Sequence, residues 1–150
     1  MRISARADYA VRAAIEIAAR SPDLVKADEI ADAQEIPSKF LENILADLRR
    51  AGLVRSRRGA DGGYQLSGPA SDVSIADVIR AVDGPLAWVR DQRPGAIEYG
   101  GSAEQLQEVW IAVRSALRGV LENVSLDQVL NHKLPLQVTS LIEDPEAWVD

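Results

Sequence analysis

Cysteine is absent from the sequence, and histidine occurs once, as His132. The chain can therefore form no disulfide, thiolate zinc site or Cys-held iron–sulfur cluster, and it has no cysteine nucleophile. A single histidine also excludes a histidine-rich metal site. No apolar run approaches the ~20 residues that span a bilayer. The opening MRISARAD lacks the apolar stretch of a secretory signal, so a soluble, cytoplasmic protein without a membrane partner is expected. Phosphate-binding glycine loops and nucleophile elbows are missing too, and no histidine is placed to act as a base. Asp77 and Asp83, six apart, have no catalytic partner, so an enzyme is not expected.

What is present is one domain's worth of chain: 150 residues, 47% hydrophobic and 27% charged, enough to bury a core. The formal net charge of −6 argues at first against nucleic acid. Its distribution changes that reading. Residues 1–68 hold eleven basic and ten acidic side chains, a net of +1, whereas residues 69–150 hold six and thirteen, a net of −7. A near-neutral front half is joined to an acidic back half. Charge more than a Debye length of ~8 Å from a basic face mainly weakens non-specific binding, so overall acidity does not veto DNA.

The front half reads as three helices and a hairpin. Behind a Ser4 cap, Tyr9, Ala10, Ala13, Ala14, Ile17 and Ala18 recur at helical spacing, and Ser21-Pro22 ends the run. A short helix is expected from Asp28 to Gln34. In the next, Leu41, Ile44, Leu45 and Leu48 at i, i+3, i+4 and i+7 define one buried stripe. Gly52 is the expected left-handed residue after its end. Strands at 53–58 and 63–66 are joined by Gly59-Ala60-Asp61-Gly62, whose glycines suit a tight hairpin. Three helices followed by a glycine-tipped hairpin outline a winged helix-turn-helix, in a fold that is mainly α.

Arg49, Arg50, Arg55, Arg57 and Arg58 fall within ten residues that contain no acid. The planar guanidinium donates two parallel bonds to phosphate. Such a run is often only a solvated face, but its coincidence with a helix-turn-helix and a wing points to DNA. At the front of the third helix, Ser38, Lys39, Glu42 and Asn43 would face the major groove. Lys suits guanine, Asn suits adenine, and Glu accepts from cytosine while repelling misplaced phosphate.

In the back half, Ser74 caps a short helix to Val82, and residues 88–102 read as an ordered loop. A last long helix is expected over nineteen residues. Leu106, Trp110, Val113, Leu117, Val120 and Val124 step along it by four and three, a coiled-coil seam. Val109, Ala112, Ala116 and Leu121 widen the apolar band, and a second copy of the chain is the expected cover. Ser125 caps a final short helix, and the tail is poorly patterned. The division expected is 1–84 as DNA-binding region, 85–103 as ordered loop, 104–131 as dimerisation helices and 132–150 as tail.

MRISARADYAVRAAIEIA, IPSKFLENILADLRRAGLVRSRRGADGGYQL and SIADVIRAVDGP, with a long helix ending in LENVSLDQVL, resemble the Rrf family of bacterial winged-helix regulators that includes IscR, NsrR and CymR. The resemblance spans about residues 1–131. It implies a homodimeric repressor on a palindromic operator, with Ser38, Phe40, Glu42 and Asn43 on the recognition face and Arg58 entering the minor groove. The full DNA-contacting set expected is then Ser38, Lys39, Phe40, Glu42, Asn43, Arg49, Arg50, Arg55, Arg57, Arg58 and Gly62. Iron–sulfur members place three cysteines between the fourth and the long helix. Here that stretch, LAWVRDQRPGAIEYGGSAEQL, has none, and Asp8, at a position where some nitric-oxide sensors supply a carboxylate ligand, has no thiolates to join. No cluster cofactor is expected. Trp88, Arg90, Arg93 and Tyr99, with His132, are candidates for an effector pocket, and a regulatory protein partner is the other route of control. A winged-helix protein-interaction module that no longer binds DNA is the alternative to a repressor.

Overall fold

The computed structural model describes all 150 residues. The helices are α1 (Ala5–Arg20), α2 (Ala27–Gln34), α3 (Ser38–Arg50), α4 (Ile75–Asp83), α5 (Leu106–Leu121), α6 (Leu126–Leu130) and α7 (Leu136–Ile142). Strands β1 (Val54–Arg57) and β2 (Gly63–Leu66) pair antiparallel between α3 and α4, in the register Val54↔Leu66 to Arg57↔Gly63.

The core is built around α1. Ser4 Oγ accepts from the Ala7 amide at 2.9 Å and donates to Asp83, which caps α1 and ties its start to the end of α4. The buried face of α1 is Ala7, Ala10, Ala13, Ala14, Ile17 and Ala18. Such small side chains let α2, α3, α4, α6 and β2 all pack close to it. The stripe on α3 is as patterned: Leu41, Ile44, Leu45 and Leu48 are each at most 1% exposed. Each contributes about 1.5–3 kcal/mol by leaving water. At its end the Gly52 amide bonds the Arg49 carbonyl and the Leu53 amide bonds that of Leu48, both at 3.0 Å, with Gly52 at φ 78°. This double closure stops the helix and turns the chain into β1.

Three features depart from the expected outline. Val25 pairs with Tyr64, exchanging amide bonds of 2.9 and 2.7 Å, and so adds a one-residue third rung to the wing sheet. The long helix is 16 residues, ~24 Å, and ends at Leu121. Val124 therefore lies outside it. Ser125 caps α6 by accepting from the Gln128 amide at 3.1 Å, which requires extended backbone there and pulls the chain out of helix. Val124 is 6% exposed, and its carbonyl accepts from the Ile75 amide at 2.9 Å. It packs within its own chain and is not part of a seam. α6, expected within the 104–131 grouping, packs on α1, and Leu126 is fully buried in the main core. Finally, the poorly patterned tail contains α7 and a 3-10 turn at Pro145–Trp148.

Candidate nucleic-acid interface

The helix-turn-helix is set by the turn between α2 and α3. Glu29 accepts from the Lys26 amide at 2.9 Å to start α2, and Glu35 ends it in left-handed conformation, φ 52°. Ile36 is buried and anchors the turn. The Pro37 carbonyl then takes the amides of Phe40 and Leu41 at 3.0 and 3.1 Å, launching α3. With its leucine stripe inward, α3 leaves Ser38, Lys39, Phe40, Glu42 and Asn43 exposed, the five positions expected on the reading face. Phe40 is 48% exposed and meets Tyr9 edge-on, ring centroids 5.6 Å apart at 63°. The Arg12 guanidinium stacks 4.9 Å from the Tyr9 ring centroid. Phe40 thus braces α3 against α1 and keeps one edge free.

The five arginines are all exposed but not equivalent. Arg50 pairs with Asp47 at 2.7 Å, and Asp47 also binds Arg6, so the charge at the end of α3 is partly neutralised. Arg49 reaches Ser56 Oγ at 3.3 Å, linking α3 to the wing strand. Arg55, Arg57 and Arg58 take part in none of the chain's ion pairs. On β1 Val54 is buried, whereas Arg55 and Arg57 are exposed, and Arg58 leads into the tip. Gly62 is buried, and a Cβ there would sit 2.1 Å from the Arg57 carbonyl oxygen. Only glycine lets the hairpin close this tightly. Gly62 thereby shapes the wing. A helix face with amide, amine and carboxylate groups beside Arg49, Arg55, Arg57 and Arg58, none of them in an ion pair, can read base edges and grip phosphate.

On α5 no residue is buried. Leu106, Trp110, Val113, Leu117 and Val120 are half-covered by their own chain, while Val109 and Ile111 are 51% and 44% exposed. The most open large apolar side chains of the helix are therefore Val109, from the widened band, and Ile111, rather than the seam itself. At the other end of the helix Glu122 accepts from Arg118 at 2.9 Å and from Arg80 of α4. The Arg118 hydrogen bond, with that of Arg80, holds the Glu122 carboxyl well below its ordinary range, at about 2.

The segment 85–103 is ordered by buried Leu86, Pro94 and Ile97 and by a short bridge between Val89 and Gln92. Of Trp88, Arg90, Arg93 and Tyr99, only Arg93 lines either of the two principal cavities, and His132 lines neither. Trp88 is 40% exposed, and Arg90 sits in a left-handed turn. Arg114 and Arg118 of α5 join Arg93 instead, a grouping with no local pattern in the sequence. Asp8 is an exposed helix residue that pairs with Arg12 at 3.0 Å.

A family model described as an iron-dependent transcriptional regulator, Rrf2, matches residues 3–132. A protein named as a putative HTH-type transcriptional regulator, Rv1287 of Mycobacterium tuberculosis, is 49% identical over 98% of this chain and 92% of its own. IscR of Escherichia coli is 34% identical over 93% of this chain and 86% of its own. Among solved structures, CymR, the global cysteine regulator of B. subtilis, superposes with a TM-score of 0.71 at 29% identity, covering 88% of this chain and 98% of that one. The IscR of T. potens gives 0.72, also at 29%, covering 88% of each. The residues present do not suit an iron site: there is no cysteine, and no three His, Asp or Glu side chains gather where a metal ion could be held.

Proposed function

The chain belongs to the Rrf2 family of transcriptional regulators, and from that premise we propose that it is a homodimeric repressor of a two-fold symmetric operator, free of an iron–sulfur cluster and controlled by a ligand or protein partner. DNA binding and transcription regulation come with the family. The finer reading rests on the structure's chemistry. The observation that carries it is the exposed front of α3 set beside the unpaired Arg55, Arg57 and Arg58 of the wing. The helix reads the major groove with Ser38, Lys39, Glu42 and Asn43, and Arg58 leads the wing toward the neighbouring phosphates and minor groove.

The apolar surface of α5 supports a second copy, since no residue of that helix is buried within one chain. Two reading heads related by a dyad call for half-sites about one helical turn apart, roughly 34 Å. A dimer that occupies both blocks that stretch of duplex to other proteins, which is the mode of repression we propose. No helix is long and apolar enough to cross a membrane, in keeping with a cytoplasmic site of action.

Selection of genomic fragments by the purified protein tests this reading. We expect enrichment of one motif with two-fold symmetry. Failure to enrich any site at low salt would leave the chain a winged-helix protein without an operator and overturn the proposal.

A further inference from the structure

Between α5 and the 3-10 turn Pro94–Ala96 lies a cleft of about 490 Å³, within the size range of small-molecule sites. The turn is held to the helix by Gln107, whose Nε2 donates to the carbonyls of Pro94 and Gly95 at 3.4 and 3.3 Å. Three arginines line the cleft, Arg93 from the turn and Arg114 and Arg118 from successive turns of α5, and no acidic side chain does. Arg118 is satisfied by Glu122. Arg93 and Arg114 belong to none of the chain's ion pairs, and Nε of Arg114 is buried without a hydrogen-bond partner. A charged donor shut away from both water and protein acceptors is rare and calls for an acceptor from elsewhere. Arg6 Nε is buried in the same way, but its guanidinium already holds Asp47. The grouping also runs against its surroundings, since half of the six basic residues in the acidic half of the chain converge on this one cleft.

We propose that this cleft binds a small organic anion, a carboxylate or phosphate ester with a short carbon body. Forked guanidiniums match the paired oxygens of either group. Pro94 and Ile111, the latter 44% exposed, supply an apolar wall for the carbon body. The site deepens the ligand-controlled side of the proposed function. It rests on that reading only for its consequence, because the helix that would grip the anion is the one offered to the second copy.

The test is calorimetric titration of the full chain without DNA, at constant ionic strength held by chloride, with inorganic phosphate and with succinate as probes. Saturable binding of at least one probe is expected, and the probe that binds identifies the oxyanion preferred. Arg93→Ala and Arg114→Gln should each weaken it at least tenfold. Arg93 is exposed and unpaired, so its removal should leave the circular dichroism spectrum unchanged. No saturable binding of either probe, or equal binding by Arg93→Ala, overturns the proposal. A protein that selects an operator but ignores both anions loses this site alone. One that binds an anion but enriches no operator loses the repressor reading alone.

Discussion

Glu122 is the residue on which two helices meet. It takes a hydrogen bond from Arg118 on α5 and another from Arg80 on α4, and the first contributes most to lowering its pKa from 4.5 to about 2. The sign of the linkage follows from the depressed folded-state value. The pairing stabilises the fold above about pH 4.5 and is lost as pH falls toward 2. Glu122→Gln should therefore unfold at lower urea than the unsubstituted chain at pH 7, and the gap between the two midpoints should shrink between pH 4.5 and 2. A gap that stays constant through that window would mean that the charge on Glu122 is irrelevant to its role. Asp47 plays a comparable part by binding both Arg6 and Arg50. It takes Arg50 partly out of the pool of free charge that the run of arginines suggests.

Elements that bury a face of their own were legible in the chain. The α3 stripe announces itself by period, Gly52 marks its end, and the wing by its glycines. Elements defined by distant partners were not. The single rung at Val25 has no periodicity to detect, and Val124 fits a four-three step although the cap at Ser125 takes it out of helix. The arginine cleft joins residue 93 to residues 114 and 118 through packing alone. For the reading face, by contrast, Ser38, Lys39, Glu42, Asn43 and the five arginines are exposed as expected from the helix and strand pattern, and Phe40, which the family resemblance added, is exposed too. The most exposed large apolar residue of α5, Val109, makes the element's own prediction. Val109→Glu should leave the helical circular dichroism intact and shift the sedimenting species from dimer to monomer. An unchanged dimer would move the interface off this band of α5.

At the scale of the whole molecule, the net charge of −6 averages over two regions of different charge, +1 in residues 1–68 and −7 in residues 69–150. Three of the front half's cations that lack carboxylate partners, Arg55, Arg57 and Arg58, cluster on the wing, while the excess of acid lies in residues 69–150. An acidic protein can hold DNA on such a face because phosphate contacts act over a Debye length of ~8 Å at physiological salt. Neutralising a phosphate also releases condensed counterions, so affinity falls with salt by a slope of about 0.9 per phosphate neutralised. The most direct measurement is a fluorescence-anisotropy titration of the selected operator at several salt concentrations, with the unsubstituted protein and with a variant carrying Arg55→Ala, Arg57→Ala and Arg58→Ala. Steep salt dependence is predicted for the first, and for the variant a slope flatter by roughly one unit for each phosphate that the wing no longer neutralises. Parallel lines for the two proteins, or affinity indifferent to salt, would contradict a wing that grips the DNA backbone.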